Sequence, residues 1–187
     1  MKKKKQNDCF DMFWISFGYL ESTKILADKI LDESNGNGKY LILPMLYNLR
    51  HGLELLIKFM SVDPKSIHDL FEINPQIINQ LKCVPDKERI IACKRLGVNN
   101  DDFNLYIEKI VPGKLNELMN KYQCEYATSD IADLNNTHFR YCFDRDLINR
   151  ILDNGIANIQ EDIEWLVGFA FIFVFCFSES NMFNNGD

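Results

Sequence analysis

Residues 48–58 read NLRHGLELLIK and place ionisable side chains in a mostly apolar background. Arg50 is of the type that pairs with phosphate, and His51 is of the type that transfers protons near neutral pH. In a helix, which turns by about 100° per residue, the ionisable side chains of this region fall on one arc. They are Tyr47, Arg50, His51, Glu54 and Lys58. Glu54 is four residues from both Arg50 and Lys58, so it is placed to bridge them as a charge ladder.

This polar arc has two interpretations. It is either the solvated face of an amphipathic helix, or an ionic stripe that lines a cleft or an interface. Tyr47 and His51 are not typical solvent-facing residues, and leucine and isoleucine cover the rest of the circumference. A central helix of this kind would need its charges paired, because unpaired buried charges are very costly.

The other two histidines of the chain also lie beside polar groups. His68 precedes Asp69, and His138 lies two residues before Arg140 and three before Tyr141 in THFRY. If at least two of the three histidines converge, they would form a phosphate-handling pocket. The alternative is that His68 packs locally and His138 belongs to a surface loop.

No other motif in the sequence indicates chemistry. The chain has no glycine-rich phosphate loop, nucleophile elbow, HExxH motif or calcium loop, so the sequence predicts no cofactor. The six cysteines are scattered without Cys-x-x-Cys pairs or zinc-type spacing, which predicts reduced thiols and no metal site. The acidic pairs 101–102 and 161–162 are predicted to be helix-start and solvent-face charges.

The elements that must position these residues are predicted to be helices. Apolar side chains recur at helical spacing over residues 9–32 and again from about 40 to 60, with Pro44 near the start of the second helix. Asn-Gly units at 35–38 separate the two. Asp144 is predicted to cap a long last helix whose spacing continues across Asn154-Gly155.

Shorter helices are predicted between these long ones. Asn74-Pro75 and Pro85-Asp86 are typical helix openings, and Gly97 is a typical stop. Asn100 or Asp101 is predicted to cap a helix that runs through residue 110, and Pro112 to break or kink it before residues 114–122 continue.

Residues 169–177 allow two readings. Phenylalanine alternates strictly along FAFIFVFCF, which is a strand period, but every intervening residue is also apolar. Continuity with the preceding helical pattern favours a helix over a strand, and such a helix would be buried on all sides. The chain as a whole is predicted to be an all-α, single-domain helical bundle.

Length and composition predict one ordinary globular domain. The chain has 187 residues, of which 47% are apolar and 26% charged, and its net charge is −6. This charge argues against a broad basic surface for nucleic acid but leaves room for a local basic patch. The predicted boundaries are a disordered basic tip over 1–8, the helical domain over 9–178 and a flexible tail over 179–187.

The chain is predicted to be cytoplasmic, without contact to a membrane. Polar residues interrupt what would be the apolar part of a signal peptide after MKKKK. The longest apolar run, residues 165–177, is too short to span a bilayer as a helix.

Three phrases together, LRHGLELLIK, SIHDLFE and THFRYCFD, resemble a group of prokaryotic HEPN-like proteins. Those proteins show an Arg-His-x-x-Glu-Leu-x-x-Lys helix, a later His-Asp-Leu and a Phe-Arg-Tyr phrase. The resemblance spans about residues 10–177. It implies an all-α bundle with long N-terminal, central and C-terminal helices that forms a homodimer. Many such proteins are metal-independent ribonucleases of toxin–antitoxin or phage-defence systems, and others are non-catalytic partners of nucleotidyltransferases.

The sequence departs from the usual R-x(4-6)-H nuclease signature of that superfamily. Arg50 is followed directly by His51, and no arginine has a histidine at the signature's spacing. If the chain cleaves RNA, the candidate catalytic residues are Arg50, His51, His68, His138 and Arg140.

Three function hypotheses follow. The first is a ribonuclease, in which a histidine deprotonates the ribose 2′-hydroxyl and arginine stabilises the phosphorane. The second is an interaction module, with a cognate antitoxin or nucleotidyltransferase as partner, in which the arc is a structural ion network. The third is a bundle that binds a nucleotide or another small ligand.

Overall fold

The computed structural model describes residues 2–32, 37–61, 74–122, 148–149, 151 and 156–179. Within these ranges every regular element is a helix, which confirms the prediction of an all-α bundle. No helix in the described ranges has the length and apolar character needed to cross a membrane.

The first two long helices form an antiparallel pair. Helix α1 spans Lys2–Asp32, so it includes the basic residues for which the sequence predicted a disordered tip. A 3₁₀ turn over Asn37–Leu41 leads into α2, Ile42–Met60, with Pro44 in the first turn of α2 as predicted. The register is antiparallel because Phe13 packs on Phe59 near one end of the pair and Leu20 packs at Gly52 further along.

Two short helices follow. Both begin where the sequence predicted, and the second also ends at the predicted glycine. Helix α3 spans Pro75–Lys82, and the Asn74 side chain caps it by accepting a hydrogen bond from the Gln76 N–H at 2.9 Å. Helix α4 spans Asp86–Leu96 and ends at Gly97, whose φ of 66° is the left-handed conformation that favours glycine.

The next helical stretch is less regular. It consists of a 3₁₀ turn at Asn100–Asp102, α5 at Phe103–Leu105, a π-helical turn at Tyr106–Ile110 and α6 at Val111–Asn120. The capping side chain is Asn99, one residue before the first predicted candidate. Of the two predicted effects of Pro112, the break is wrong, because the helix continues through the proline, with a π-helical turn just before it. The kink stays a prediction. A wider turn accommodates a residue that has no N–H and whose ring crowds the preceding turn.

The last described helix, α7, spans Ile156–Glu179. It includes residues 169–177, so the helical interpretation of the phenylalanine-rich segment is confirmed. Ile148 and Ile151 are helical and buried ahead of it. The predicted cap at Asp144 and the Asn154-Gly155 pair lie outside the described residues.

An aromatic cluster joins the three long helices. The rings of Phe13 from α1, Phe59 from α2 and Phe173 from α7 have centroids 5.4 to 5.6 Å apart. Phe169 extends the cluster along α7, 5.4 Å from Phe173. Such contacts add to the large hydrophobic stabilisation that aromatic burial supplies. The core therefore sits where α1 is packed against both α2 and α7.

Candidate functional site

The predicted polar arc lies on α2. The apolar face of α2 is fully packed, and Leu46, Leu49, Leu53 and Leu56 are all buried. Arg50 is buried as well, at 6% exposure, whereas Tyr47, His51, Glu54 and Lys58 are partly exposed. The arc is thus neither a plain solvated face nor a fully buried stripe. It runs from the interior at Arg50 to the surface at Lys58.

His51 is held between two tyrosine rings. The Tyr19 ring from α1 meets it edge to face, with centroids 4.6 Å apart and an interplanar angle of 89°. The Tyr47 ring, one helical turn earlier on α2, is nearly parallel to it at 5.8 Å and 11°. We name these three residues the Tyr–His–Tyr cluster. Contacts on two sides fix the plane of the imidazole, which is the arrangement that a positioned proton-transfer group needs.

A close helix crossing next to His51 sets this geometry. Gly52 lets α1 approach, since a Cβ built there would lie 3.0 Å from Leu20 side-chain atoms and 3.2 Å from Cβ of Tyr19. The buried Ser16 hydroxyl donates a 2.7 Å hydrogen bond to the Gly52 carbonyl oxygen. This bond ties the two helices together one turn of α1 before Tyr19. Together, Ser16 and Gly52 bring the Tyr19 ring onto His51.

The charged half of the arc is paired on the surface. Lys58 Nζ bonds the Glu54 carboxylate, so one arm of the predicted charge ladder is present. The pair is about 30% exposed on both sides. An exposed pair at this spacing stabilises a helix by only about 0.3–0.5 kcal/mol. Its contribution is local, and the arm between Arg50 and Glu54 stays a prediction.

Five of the ten predicted site residues are therefore described, and all five lie on α2. The other five lie outside the described residues: His68, Asp69, His138, Arg140 and Tyr141. The convergence of the histidines into one pocket stays a prediction. Among the described residues no three His, Cys, Asp or Glu side chains are grouped so as to hold a metal ion.

A second polar cluster was missed by the sequence interpretation. Asp162 of α7 is buried at 6% exposure, although the 161–162 pair was predicted to face solvent. Its carboxylate accepts a 2.8 Å hydrogen bond from the Tyr122 hydroxyl and pairs with Lys121 at 2.6 Å and with Lys114 at 3.4 Å. We name this set the Asp162 cluster. It joins both the first turn of α6 and the residues that follow its last turn to the start of α7.

The carboxylates around Lys114 shift the pKa of its ammonium group. Burial alone would lower the pKa of its ammonium group, but the Glu117 and Asp162 carboxylates outweigh that effect and raise the pKa above 10.5. Lys114 Nζ is 3.0 Å from Glu117 Oε1. The lysine is thus firmly charged at neutral pH, which suits a structural ion pair and not a proton-transfer group.

Two further polar groups of the core are also structural. Trp165 Nε1 donates a 2.6 Å hydrogen bond to the Tyr106 hydroxyl, joining α7 to the π-helical turn. Burial raises the pKa of Tyr106 above its ordinary 10.0. Burial likewise raises the pKa of the Cys93 thiol. A raised thiol pKa disfavours the thiolate, so Cys93 is a poor nucleophile.

One open groove among the described residues lies away from α2. Leu96, Val98, Tyr106 and Ile110 line it between the end of α4 and the π-helical turn. None of the five described site residues borders this groove, so it does not extend the polar arc.

Comparison with protein-family models, with curated proteins and with solved structures gave no match. What defines this protein structurally is an all-α bundle in which α1 and α2 together form the Tyr–His–Tyr cluster, beside the buried Arg50.

Proposed function

We propose that this chain is a HEPN-like protein of bacterial defence or toxin–antitoxin type, acting in the cytoplasm as a metal-independent ribonuclease. The observation that supports this proposal is the Tyr–His–Tyr cluster, in which two rings fix the plane of a partly exposed His51 next to Arg50. A positioned imidazole near neutral pH is the most common general base in enzymes.

In this mechanism His51 takes the proton of a ribose 2′-hydroxyl. The resulting alkoxide attacks the adjacent phosphate and expels the 5′-oxygen, leaving a 2′,3′-cyclic phosphate. A second group protonates the leaving oxygen, and His68 and His138 are the candidates for it. Arg50 is buried, so it acts through the electrostatic field near the phosphorane, while Arg140 is the candidate for direct contact with the phosphate.

The tyrosines also suit RNA. Tyr19 and Tyr47 are partly exposed residues, and single-stranded RNA is commonly bound by stacking its bases on aromatic rings. The net charge of −6 predicts weak backbone attraction. Binding would thus rely on stacking and a local contact, not on a long basic groove.

The experiment is RNA cleavage in the presence of a metal chelator. The wild-type chain is expected to cut single-stranded or structured RNA and leave cyclic phosphate ends. His51→Ala is expected to lower the rate by about a hundredfold or more, as loss of a general base does. Arg89→Met is the control, because it removes an arginine of α4 that pairs with Asp86 and lies away from the Tyr–His–Tyr cluster. Full cleavage by His51→Ala, or none by the wild type on any RNA class, contradicts the proposal.

A second candidate is a non-catalytic interaction module that pairs with an antitoxin or a nucleotidyltransferase. The observation that favours it is the burial of Arg50, because an arginine at 6% exposure is placed to stabilise the bundle. This candidate predicts that His51→Ala and Glu54→Gln lower the melting temperature while no RNA cleavage is present to lose. The hypothesis that the bundle binds a nucleotide is tested by a thermal-shift screen. It is contradicted if no nucleotide raises the melting temperature.

A further inference from the structure

Helix α4 turns two of its aliphatic side chains outward. Its buried residues, Ala92 and Cys93, are small, whereas Ile90 and Ile91 are exposed at 56% and 45%. An ordinary surface helix does the opposite and buries its aliphatic stripe against the core. The two neighbouring isoleucines therefore form an apolar contact area that the bundle itself does not use.

Two lysines flank these isoleucines on the same side of the helix. Lys87 lies three residues before Ile90, and Lys94 lies three residues after Ile91. With a rotation of about 100° per residue, all four side chains fall within an arc of roughly 100° on the side opposite to the buried residues. We name Lys87, Ile90, Ile91 and Lys94 the α4 face. It extends for about 10 Å, or two helical turns, at 1.5 Å per residue.

The α4 face carries two positive charges and no negative one. Among the described residues, neither Lys87 nor Lys94 has an ion-pair partner. Asp86 and Glu88 are each rotated by about 100° from Lys87, one to either side, and Asp86 pairs with Arg89. The face is thus locally basic on a chain of net charge −6, and it favours a negatively charged partner.

The side chains between the two lysines narrow the class of partner. Isoleucine has no aromatic ring on which a nucleotide base could stack, so the α4 face is poorly suited to RNA. Helices that lie on a membrane have a wide apolar face with aromatic residues, and the α4 face has two isoleucines. Positions i, i+3, i+4 and i+7 are those through which one helix contacts another. A helix with apolar residues flanked by Asp or Glu therefore matches the α4 face in shape and in charge.

We propose that the α4 face binds an acidic amphipathic helix of a partner protein. Leucine or isoleucine of that helix covers Ile90 and Ile91, and its carboxylates pair with Lys87 and Lys94. A contact of two turns is small, so the complex is reversible and is weakened by salt. Binding at the α4 face does not depend on whether the chain cleaves RNA, because the Tyr–His–Tyr cluster lies on α1 and α2.

The first experiment measures the binding of two labelled peptides to the full chain by fluorescence anisotropy. Both are helical peptides of about 20 residues with leucine at i, i+3 and i+4 spacing, and the flanking positions are glutamate in one and lysine in the other. The acidic peptide is expected to bind with a micromolar dissociation constant that rises with salt, and the basic peptide to bind at least about tenfold more weakly. Absence of binding by the acidic peptide, or equal binding by the basic one, overturns the proposal.

The second experiment locates the binding site with variants of the α4 face. Lys87→Glu with Lys94→Glu reverses its charge and is expected to weaken binding of the acidic peptide at least about tenfold. Ile90→Ser with Ile91→Ser removes the apolar contact and is expected to weaken binding by a similar factor. All four positions are exposed, so circular dichroism should show an unchanged fold. If the serine variant fails to fold, the charge-reversal variant decides the result.

The matched control changes an isoleucine and a lysine of α1. Ile25→Ser with Lys29→Glu alters two exposed residues that lie off the α4 face, and it should bind the acidic peptide like the wild type. His51→Ala should also bind normally, which separates this result from that of the RNA cleavage assay. Binding that survives the charge reversal, or that falls equally in the α1 control, overturns the proposal. A chain that binds single-stranded RNA at the α4 face and no acidic peptide overturns it as well.

Discussion

The Asp162 carboxylate makes three interactions: a hydrogen bond with Tyr122 and ion pairs with Lys114 and Lys121. Asp162→Asn keeps an oxygen that accepts the Tyr122 hydroxyl but removes the charge that faces Lys114 and Lys121. We expect the free energy of unfolding to fall by about 1–3 kcal/mol, because Lys121 then loses its carboxylate partner and Lys114 keeps only Glu117. Chemical denaturation measures this change. Glu161→Gln is the control, one residue earlier and exposed, and should change stability by less than about 0.5 kcal/mol. Equal effects of the two variants would mean that Asp162 is an ordinary surface charge.

The position of Asp162 in the sequence indicates burial, although an acidic residue type by itself indicates exposure. Asp162 is three residues after Ile159 and four before Leu166, so it falls inside the apolar stripe of α7. Its partners Lys114 and Tyr122 come from a distant part of the chain, and no local pattern could identify them. The same reason explains Tyr19, whose contact with His51 depends on how α1 crosses α2. The arc itself was predictable, because it lies within one helix.

At the scale of elements, the crossing of α1 and α2 depends on one missing side chain. Gly52→Ala puts a methyl group 3.0 Å from the Leu20 side chain, on a helix that the Ser16 hydrogen bond holds in place. We expect destabilisation by about 1–3 kcal/mol from overpacking. Gly113→Ala in α6 is the control, since nothing lies within 4 Å of its built Cβ. It should stabilise the protein by roughly 0.5–1 kcal/mol through better helix propensity. Thermal and urea unfolding measure both, and opposite signs are the expected result.

The ends of the elements were largely predictable because short-range chemistry determines them. Asn74 caps α3 through its own side chain, and Gly97 ends α4 in a conformation that glycine adopts without strain. Pro112 shows the limit of such rules. A proline predicts a break, but a π-helical turn provides another solution when buried side chains such as Val111 and Leu115 hold the helix in the core. Tertiary packing favours the π-helical turn over a break, and the residues next to Pro112 do not reveal this preference.

At the scale of the whole molecule, one aromatic cluster takes a side chain from each of the three long helices. Phe173 contacts Phe13 of α1 and Phe59 of α2, while its neighbour Phe171 lies partly exposed under the Arg95 guanidinium, 3.9 Å from it. Alternating phenylalanines therefore have different roles within one helix. The strand-like period of this segment reflects composition, whereas the helical rotation decides which rings enter the core.

This arrangement predicts that α1 and α7 unfold together. The two tryptophans report on them separately, Trp14 on α1 and Trp165 on α7. The variants Trp165→Phe and Trp14→Phe each keep one tryptophan. In each variant, the unfolding midpoint from fluorescence should equal the midpoint that circular dichroism gives for the same variant. Adding Phe173→Ala should lower both midpoints equally, and the free energy of unfolding should fall by about 3–5 kcal/mol. Adding Phe171→Ala should lower the free energy of unfolding clearly less. Separate midpoints in either background would mean that the cluster does not couple the helices. Because domains of this kind are stable by only about 5–15 kcal/mol, a common loss of that size would bring the whole bundle close to unfolding.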